Sequence, residues 1–516
     1  MVNAKLLKQT VLLVAYILPF QGFTQEEADR LFARGNYNEA YNAYTEAYPD
    51  PVRAGVDIQY KVGICIVNGT NPDKNPAAGL ISNYVNAHPD DGNARFVYGK
   101  ALVYEQRFDE AEEQFTKCLV SKNISDINKK NAGRELEYCQ DARVLIPFAI
   151  NATIETAGEK INSVFSDYYP FTNADESLLY FNSRRNDGSS EKENGDFTSN
   201  IYYSVFKDGE FGKPELLKGD INDMTIDEEI VGLSNDGKKA LISYINKNGN
   251  SDLKIANVDK GKIISYDKLP KELNSASDEI AATFGMSTNE IYFASNREGG
   301  FGGIDLYVIR KDPKGKWAKA QNLGPEINTH YDEDFPNLAH DGQALFFSSK
   351  GHNSMGGYDI FKAEWDHTVV RFVKPVNIGY PVNTLFDDMN LNFSANGRYG
   401  YCSRLTQKAE YDIYRVTFEE VEEQITVVTG ILKVDKAEDE LLSGLLMVVE
   451  DLKTGELMGE YLPNPNTMRY VMAFKPGVYK VTITIDGYET VEEKLVIGDK
   501  GGYTPEMTVD YTLKRN

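Results

Sequence analysis

The chain has 516 residues, 41% of them hydrophobic and 26% charged, and carries a formal net charge of −23. That length holds about three or four domains at roughly 150 residues each, and the apolar share lets each build a core. The negative balance excludes a nucleic-acid partner, which needs clustered Lys and Arg, and argues against an anionic membrane surface.

The first 24 residues read as a secretory signal peptide. Lys5 and Lys8 supply the positive start, Val11 to Phe20 is an apolar run, and Gly22 and Thr24 put small residues at −3 and −1 before Gln25. A transmembrane helix would need about 20 apolar residues; Gln21 and Thr24 interrupt too soon, so no membrane span is predicted. With no cysteine near the cleavage point, no lipid anchor is expected, and the mature chain is expected to be exported. The four cysteines, Cys65, Cys118, Cys139 and Cys402, match no metal motif. They read as buried free thiols, or with Cys118 joined to Cys139, the one pair on neighbouring predicted helices.

Residues 25–146 carry a helical repeat. The small residues Ala28, Gly63, Gly99 and Gly133 follow one another at intervals of 35, 36 and 34 residues. Ala40 with Tyr44, and Ala111 with Phe115, recur where two antiparallel helices must touch, and Gly133 is expected to open a last polar helix, Arg134 to Val144. This pattern resembles the tetratricopeptide repeat, with a middle copy that departs through a stretched loop, Asn68 to Pro76. The resemblance implies an α-solenoid whose concave face binds a partner's segment.

From 147 to 417 the pattern becomes β. Acidic pairs at Asp227-Glu228, Asp278-Glu279, Asp332-Glu333 and Asp387-Asp388 each open a unit, and turns such as Asp236-Gly237, Asp341-Gly342 and Asn396-Gly397 are hairpin signals. Gly302-Gly303 and Gly356-Gly357 lead into third strands at Asp305 and Asp359. Connectors ending in Asn162, Asn222, Asn274, Asn328 and Asn383 count five units, and a strand over 148–154 supplies the outer strand missing from the fifth. Radial repetition of such sheets predicts a five-bladed β-propeller, or six blades if the long second unit hides another. The segments resemble the WD40-like repeats that also occur in the translocation protein TolB.

The acidic pairs recur in every unit, so they read as turn and inter-blade hydrogen-bonding groups rather than catalytic carboxylates. Calcium on the loop aspartates would be the other use, but the spacings do not match an EF-hand loop. The chain has five histidines and no Gly-x-Ser-x-Gly. The expectation is therefore that the chain is not an enzyme, with no catalytic residue, no cofactor or cofactor-binding residue, and no metal ligand. Tyr168, Tyr169, Trp317 and Trp365 are the residues that could form sugar platforms in a rival, ligand-binding reading.

After a Glu-rich linker, Phe418 to Gln424, residues 424–516 show about seven short strands, the pattern of an antiparallel β-sandwich. Val448 to Gly455 reads as a hairpin, and Arg469 to Ile485 as two strands around a Pro476-Gly477 turn. That turn, with the later Gly487-Tyr488, resembles the carboxypeptidase regulatory-like domain, a transthyretin-type fold.

The order of signal, tetratricopeptide repeats, propeller and sandwich resembles the PorE-like periplasmic components of the type IX secretion system in Bacteroidota. The resemblance implies a non-catalytic scaffold at the inner face of the outer membrane, with an outer-membrane β-barrel and secretion or gliding components as protein partners. Such proteins continue into an OmpA-like domain that grips peptidoglycan; none follows Asn516, so attachment is expected through a protein partner. The alternative is a glycan- or peptide-binding, or hydrolytic, propeller of the cell envelope.

Overall fold

The computed structural model describes residues 24–516 apart from 70–72, 174–175, 193–195, 208, 260, 268, 270–271, 395–396, 407–409, 419–425, 435–443, 462, 464–467 and 499–505. The expected signal peptide up to residue 23, Asn396 of one expected hairpin turn and nearly all of the expected linker lie outside the described residues.

Seven helices come first: α1 (Gln25–Ala33), α2 (Tyr37–Ala47), α3 (Val56–Asn68), α4 (Pro76–Ala87), α5 (Gly92–Tyr104), α6 (Phe108–Val120) and α7 (Asp126–Leu145). Each packs on the next, and Ala28, Ala40, Tyr44, Ala111 and Phe115 are fully buried between them. The small residues are there for close approach. A Cβ on Gly63 would meet Ile81 at 2.5 Å, and one on Gly99 would meet the Phe115 ring at the same distance. The last helix is longer than expected. It begins at Asp126, N-capped by the Ser125 hydroxyl on the Asn128 amide at 3.3 Å, and Gly133 lies inside it. All four cysteines are free and buried, and burial pushes each thiol up to about 12.

Five antiparallel sheets follow, arranged in a ring. Their innermost strands are Asp167–Thr172, Glu228–Leu233, Glu279–Phe284, Glu333–Leu338 and Asp388–Phe393. Each packs beside the next, and the last returns to the first. The outer strand of the fifth sheet is Ala152–Thr156, which precedes the first sheet in sequence and pairs antiparallel with Tyr411–Phe418. The ring is therefore closed by a strand from its own beginning.

The connectors are built on one repeated device. Asn162, Asn222, Asn274, Asn328 and Asn383 each accept from the amide, and donate to the carbonyl, of one residue in a third strand: Ile413, Ile201, Leu253, Leu306 and Ile360. The side-chain amide stands in for a missing strand neighbour and satisfies two backbone groups at once. The double glycines are forced by crowding: a Cβ on Gly302 would sit 1.9 Å from the Tyr331 carbonyl oxygen.

The C-terminal residues form two sheets over one core that contains Val428, Met447, Phe474, Val481 and Ile483. One expectation changes here. Thr426–Lys433 pairs in parallel with Glu506–Thr508 and Tyr511–Thr512, so the module is not wholly antiparallel. The two strands expected around Pro476-Gly477, Arg469–Phe474 and Gly477–Thr484, belong to different sheets, so the turn is a corner between sheets. The module sits against the ring face that carries the first hairpin turns, where Lys238 Nζ donates to the Pro463 carbonyl at 3.2 Å.

Candidate functional site

Strand direction puts the starts of all inner strands, the ends of all second strands and the starts of all third strands on one face of the ring. At its axis these ends surround a cavity of about 420 Å³. The acidic pairs fix its rim. The first member reaches the preceding sheet: Asp227, Asp278, Asp332 and Asp387 accept from the amides of Ser199, Ser251, Ile304 and Tyr358 at 2.8–3.2 Å. The second member is buried and ties down its own connector. Glu279, Glu333 and Asp388 accept from the amides of Ser275, Thr329 and Thr384, and Arg297 and Arg404 bind Glu279 and Asp388 at 2.8 and 2.7 Å.

At the next position Tyr168, Glu229, Asp334 and Met389 line the cavity. There the ring departs from its repeat, with Tyr168, Glu229 and Asp334 where the other two sheets have Ile280 and Met389. Arg184 and Lys350, just past the second strands, and Asp196, Asp387 and Glu410 complete the charged lining. Tyr169, Phe335, Tyr358 and Tyr411 supply aromatic walls. Tyr169 and Phe335 adopt φ of +51° and +50° at irregularities of their inner strands, and Asn390 does so in the fifth sheet at +56°. Bulges with strained backbone re-aim side chains, and they gather at functional sites.

The charges differ in how they are held. Glu229 accepts from the Tyr168 hydroxyl at 2.6 Å and lies 3.4 Å from Arg184, which also pairs with Asp227 at 3.1 Å. Burial raises the Glu229 carboxyl, opposed by Arg184. Lys350 pairs with Asp332 at 3.0 Å and lies 4.4 Å over the Tyr358 ring. Asp334 is 3% exposed; its Oδ1 accepts from the neighbouring Phe335 amide at 2.7 Å, and burial pushes its carboxyl up to about 7. Asp387 accepts from the Tyr411 hydroxyl at 3.3 Å, and Glu410 from the Ser166 hydroxyl. Among the described residues no ion pair reaches Asp334, Asp387 or Glu410, and no three His, Cys, Asp or Glu side chains converge as a metal site would require.

The helices sit on this same face. In the third sheet Arg297 follows the second strand by two residues and reaches Glu279; the matching position in the fourth sheet is Gly351. A guanidinium arrives there from α7 instead. Arg134 donates to the Lys350 and Gly351 carbonyls at 2.7 and 2.9 Å and lies 4.5 Å over the Tyr331 ring. Tyr104 of α5 stacks on Phe386 at 5.2 Å between ring centres. Of the four aromatic residues singled out from sequence, Tyr168 and Tyr169 line the cavity. Trp317 and Trp365 do not; Trp365 packs on Phe372 in the outer part of the fourth sheet.

No family model matches the chain, and no curated protein matches it. Solved structures do. A putative TolB from Agrobacterium tumefaciens is similar over 53% of this chain and 100% of its own, at 14% identity and a TM-score of 0.28. The tetratricopeptide domain of P58(IPK) is similar over 22% of this chain and 31% of its own, at 22% identity and a TM-score of 0.19. The endo-arabinase from Bacteroides thetaiotaomicron is similar over 51% and 96%, at 14% identity and a TM-score of 0.33. The chain's own geometry, helices stacked in succession and sheets closed into a ring, agrees with a tetratricopeptide-like part and a propeller-like ring.

These neighbours correct one expectation from the sequence. They include several glycoside hydrolases, among them a thermostable family-43 enzyme, and a prolyl endopeptidase. The expectation that the chain is not an enzyme is therefore not kept. The physical reason it was misread is the cavity, which gathers ionisable side chains that are far apart in sequence. The likeness is one of fold and assigns no reaction. No described helix is long and apolar enough to cross a membrane.

Proposed function

We propose that this chain is an exported scaffold or adaptor on the periplasmic side of an outer-membrane complex, that of the type IX secretion or gliding machinery. In this reading the ring is a five-bladed WD40-like propeller and the C-terminal module a carboxypeptidase regulatory-like sandwich. The supporting observation is the seating of the helices: α5 and α7 lie on the cavity face of the ring, held by Arg134 and Tyr104, so the helical surface and the ring mouth form one composite platform. Solenoids and propellers both bind partners on such surfaces. Cross-linking in cells followed by affinity purification tests it. An outer-membrane barrel or secretion component should be recovered with the chain, and recovery of the chain alone would refute it.

A second reading is favoured by the cavity itself: a ligand-binding propeller of the cell envelope, acting on peptides or glycans. Its volume and mixed aromatic and carboxylate lining fit a small polar ligand or one extended side chain. Screening peptide and glycan arrays against the full chain tests this, and a reproducible hit that is lost on blocking the cavity supports it.

A further inference from the structure

Three carboxylates of the cavity lining, Asp334, Asp387 and Glu410, are supported by neutral groups where cations would be expected. Asp387 and Glu410 take hydroxyl hydrogen bonds from Tyr411 and Ser166, and Asp334 takes one from a backbone amide. The two cations of the lining are already engaged, Arg184 with Asp227 and Glu229, and Lys350 with Asp332. Asp334 is 97% buried by its 3% exposure, yet borders open space, and its side chain takes no other hydrogen bond among the described residues. A buried carboxylate with one neighbouring donor is costly unless a further donor or positive charge arrives.

Aromatic faces stand beside these groups: Tyr169 packs on Phe335 at 4.6 Å between ring centres, and Phe335 on Tyr358 at 6.0 Å. Carboxylates framed by aromatic rings recognise ammonium groups, through charge-assisted hydrogen bonds and through attraction of the cation to the ring faces. A metal ion is the poorer fit, since no three acidic side chains converge among the described residues.

We propose that the cavity binds an organic ammonium group, held by Asp334 against Tyr169 and Phe335, with Asp387 and Glu410 adding negative charge from the same lining. The source is a lysine side chain of a partner peptide or a small free amine. This rests on the second reading above, that the cavity takes a ligand.

Calorimetric titration of the full chain tests it with four probes: a blocked Gly-Lys-Gly peptide, the same peptide with its lysine acetylated, methylammonium, and a neutral oligosaccharide. The lysine peptide should bind at least tenfold more tightly than its acetylated form. Methylammonium matching the peptide would assign the source to a free amine; weaker binding would assign it to a peptide. Asp334→Asn and, separately, Glu410→Gln should each weaken the lysine peptide about tenfold while keeping a cooperative thermal transition. Equal binding of the acetylated peptide, preference for the oligosaccharide, or no binding by any probe would overturn the proposal. Recovery of an outer-membrane partner by cross-linking, alongside failure of every ammonium probe, would remove this inference alone and leave the adaptor reading intact.

Discussion

At the scale of single residues the ring depends on side chains that imitate backbone. Asn328 satisfies both the amide and the carbonyl of Leu306 at 2.8 and 2.9 Å in a buried connector. Asn328→Ala strands two buried groups and should cost about 2–4 kcal/mol in chemical denaturation. Asp334 acts in the opposite sense. Its carboxyl is pushed up to about 7 by burial, whereas an unfolded aspartate titrates near 3.9. The folded state therefore holds this proton more tightly, so the group's contribution is full below about pH 4 and is lost as pH rises through 7. Asp334→Asn should match the native chain near pH 4 and exceed it in stability at pH 8 by something on the order of 2–4 kcal/mol, read from denaturation at the two pH values. A residue that weakens the fold and borders a cavity has the profile of one kept for binding. The sequence did contain its signal. Glu229 and Asp334 are third acidic residues directly behind an acidic pair, at positions where other sheets carry Ile280 and Met389. Reading each pair as a repeated turn device accounts for its two members and passes over the residue that follows.

At the scale of elements, recurrence made most of the architecture legible. Ala28, Gly63 and Gly99 announced helix contacts, and the structure finds the last two pressed against Ile81 and Phe115. Gly99→Val should lower the stability of the helical part by about 1–3 kcal/mol, visible as an earlier helical melting transition by circular dichroism. The start of α7 was not legible, because Asp126 to Lys130 has Ile127 as its one apolar residue and gives no apolar period. Nor was the corner at Pro476-Gly477, since two extended segments around a turn look alike whether the strands pair or part. The docking of α7 was equally hidden: Gly351 is informative only once the arginine of the third sheet, Arg297, is seen in its place. Arg134→Ala should release the helices from the ring face. Amide exchange across 126–145 should rise severalfold while that of the inner strands stays unchanged; equal exchange in both would show that the guanidinium does not hold the contact.

At the scale of the whole molecule, the cavity could not be read from neighbouring residues, because it joins Ser166 to Glu410, which lie 244 residues apart in sequence. Closure has the same long reach. Ala152 lies opposite Phe418 and Thr156 opposite Tyr414, so the ring is completed only when both its ends are present. Glu155→Pro removes a ladder hydrogen bond to Arg415 at the seam and should lower ring stability by about 3 kcal/mol, with loss of a single cooperative transition. The seam has a mechanical consequence. Tension pulling the helices away from the ring reaches the chain first at the strand Ala152–Thr156, and would unzip it from its antiparallel neighbour. Arg134 and Tyr104 grip the neighbouring loops directly, so they divert that load onto the fourth and fifth sheets. A protein hauled by one module and anchored by another would thus keep its ring shut for as long as that clasp holds.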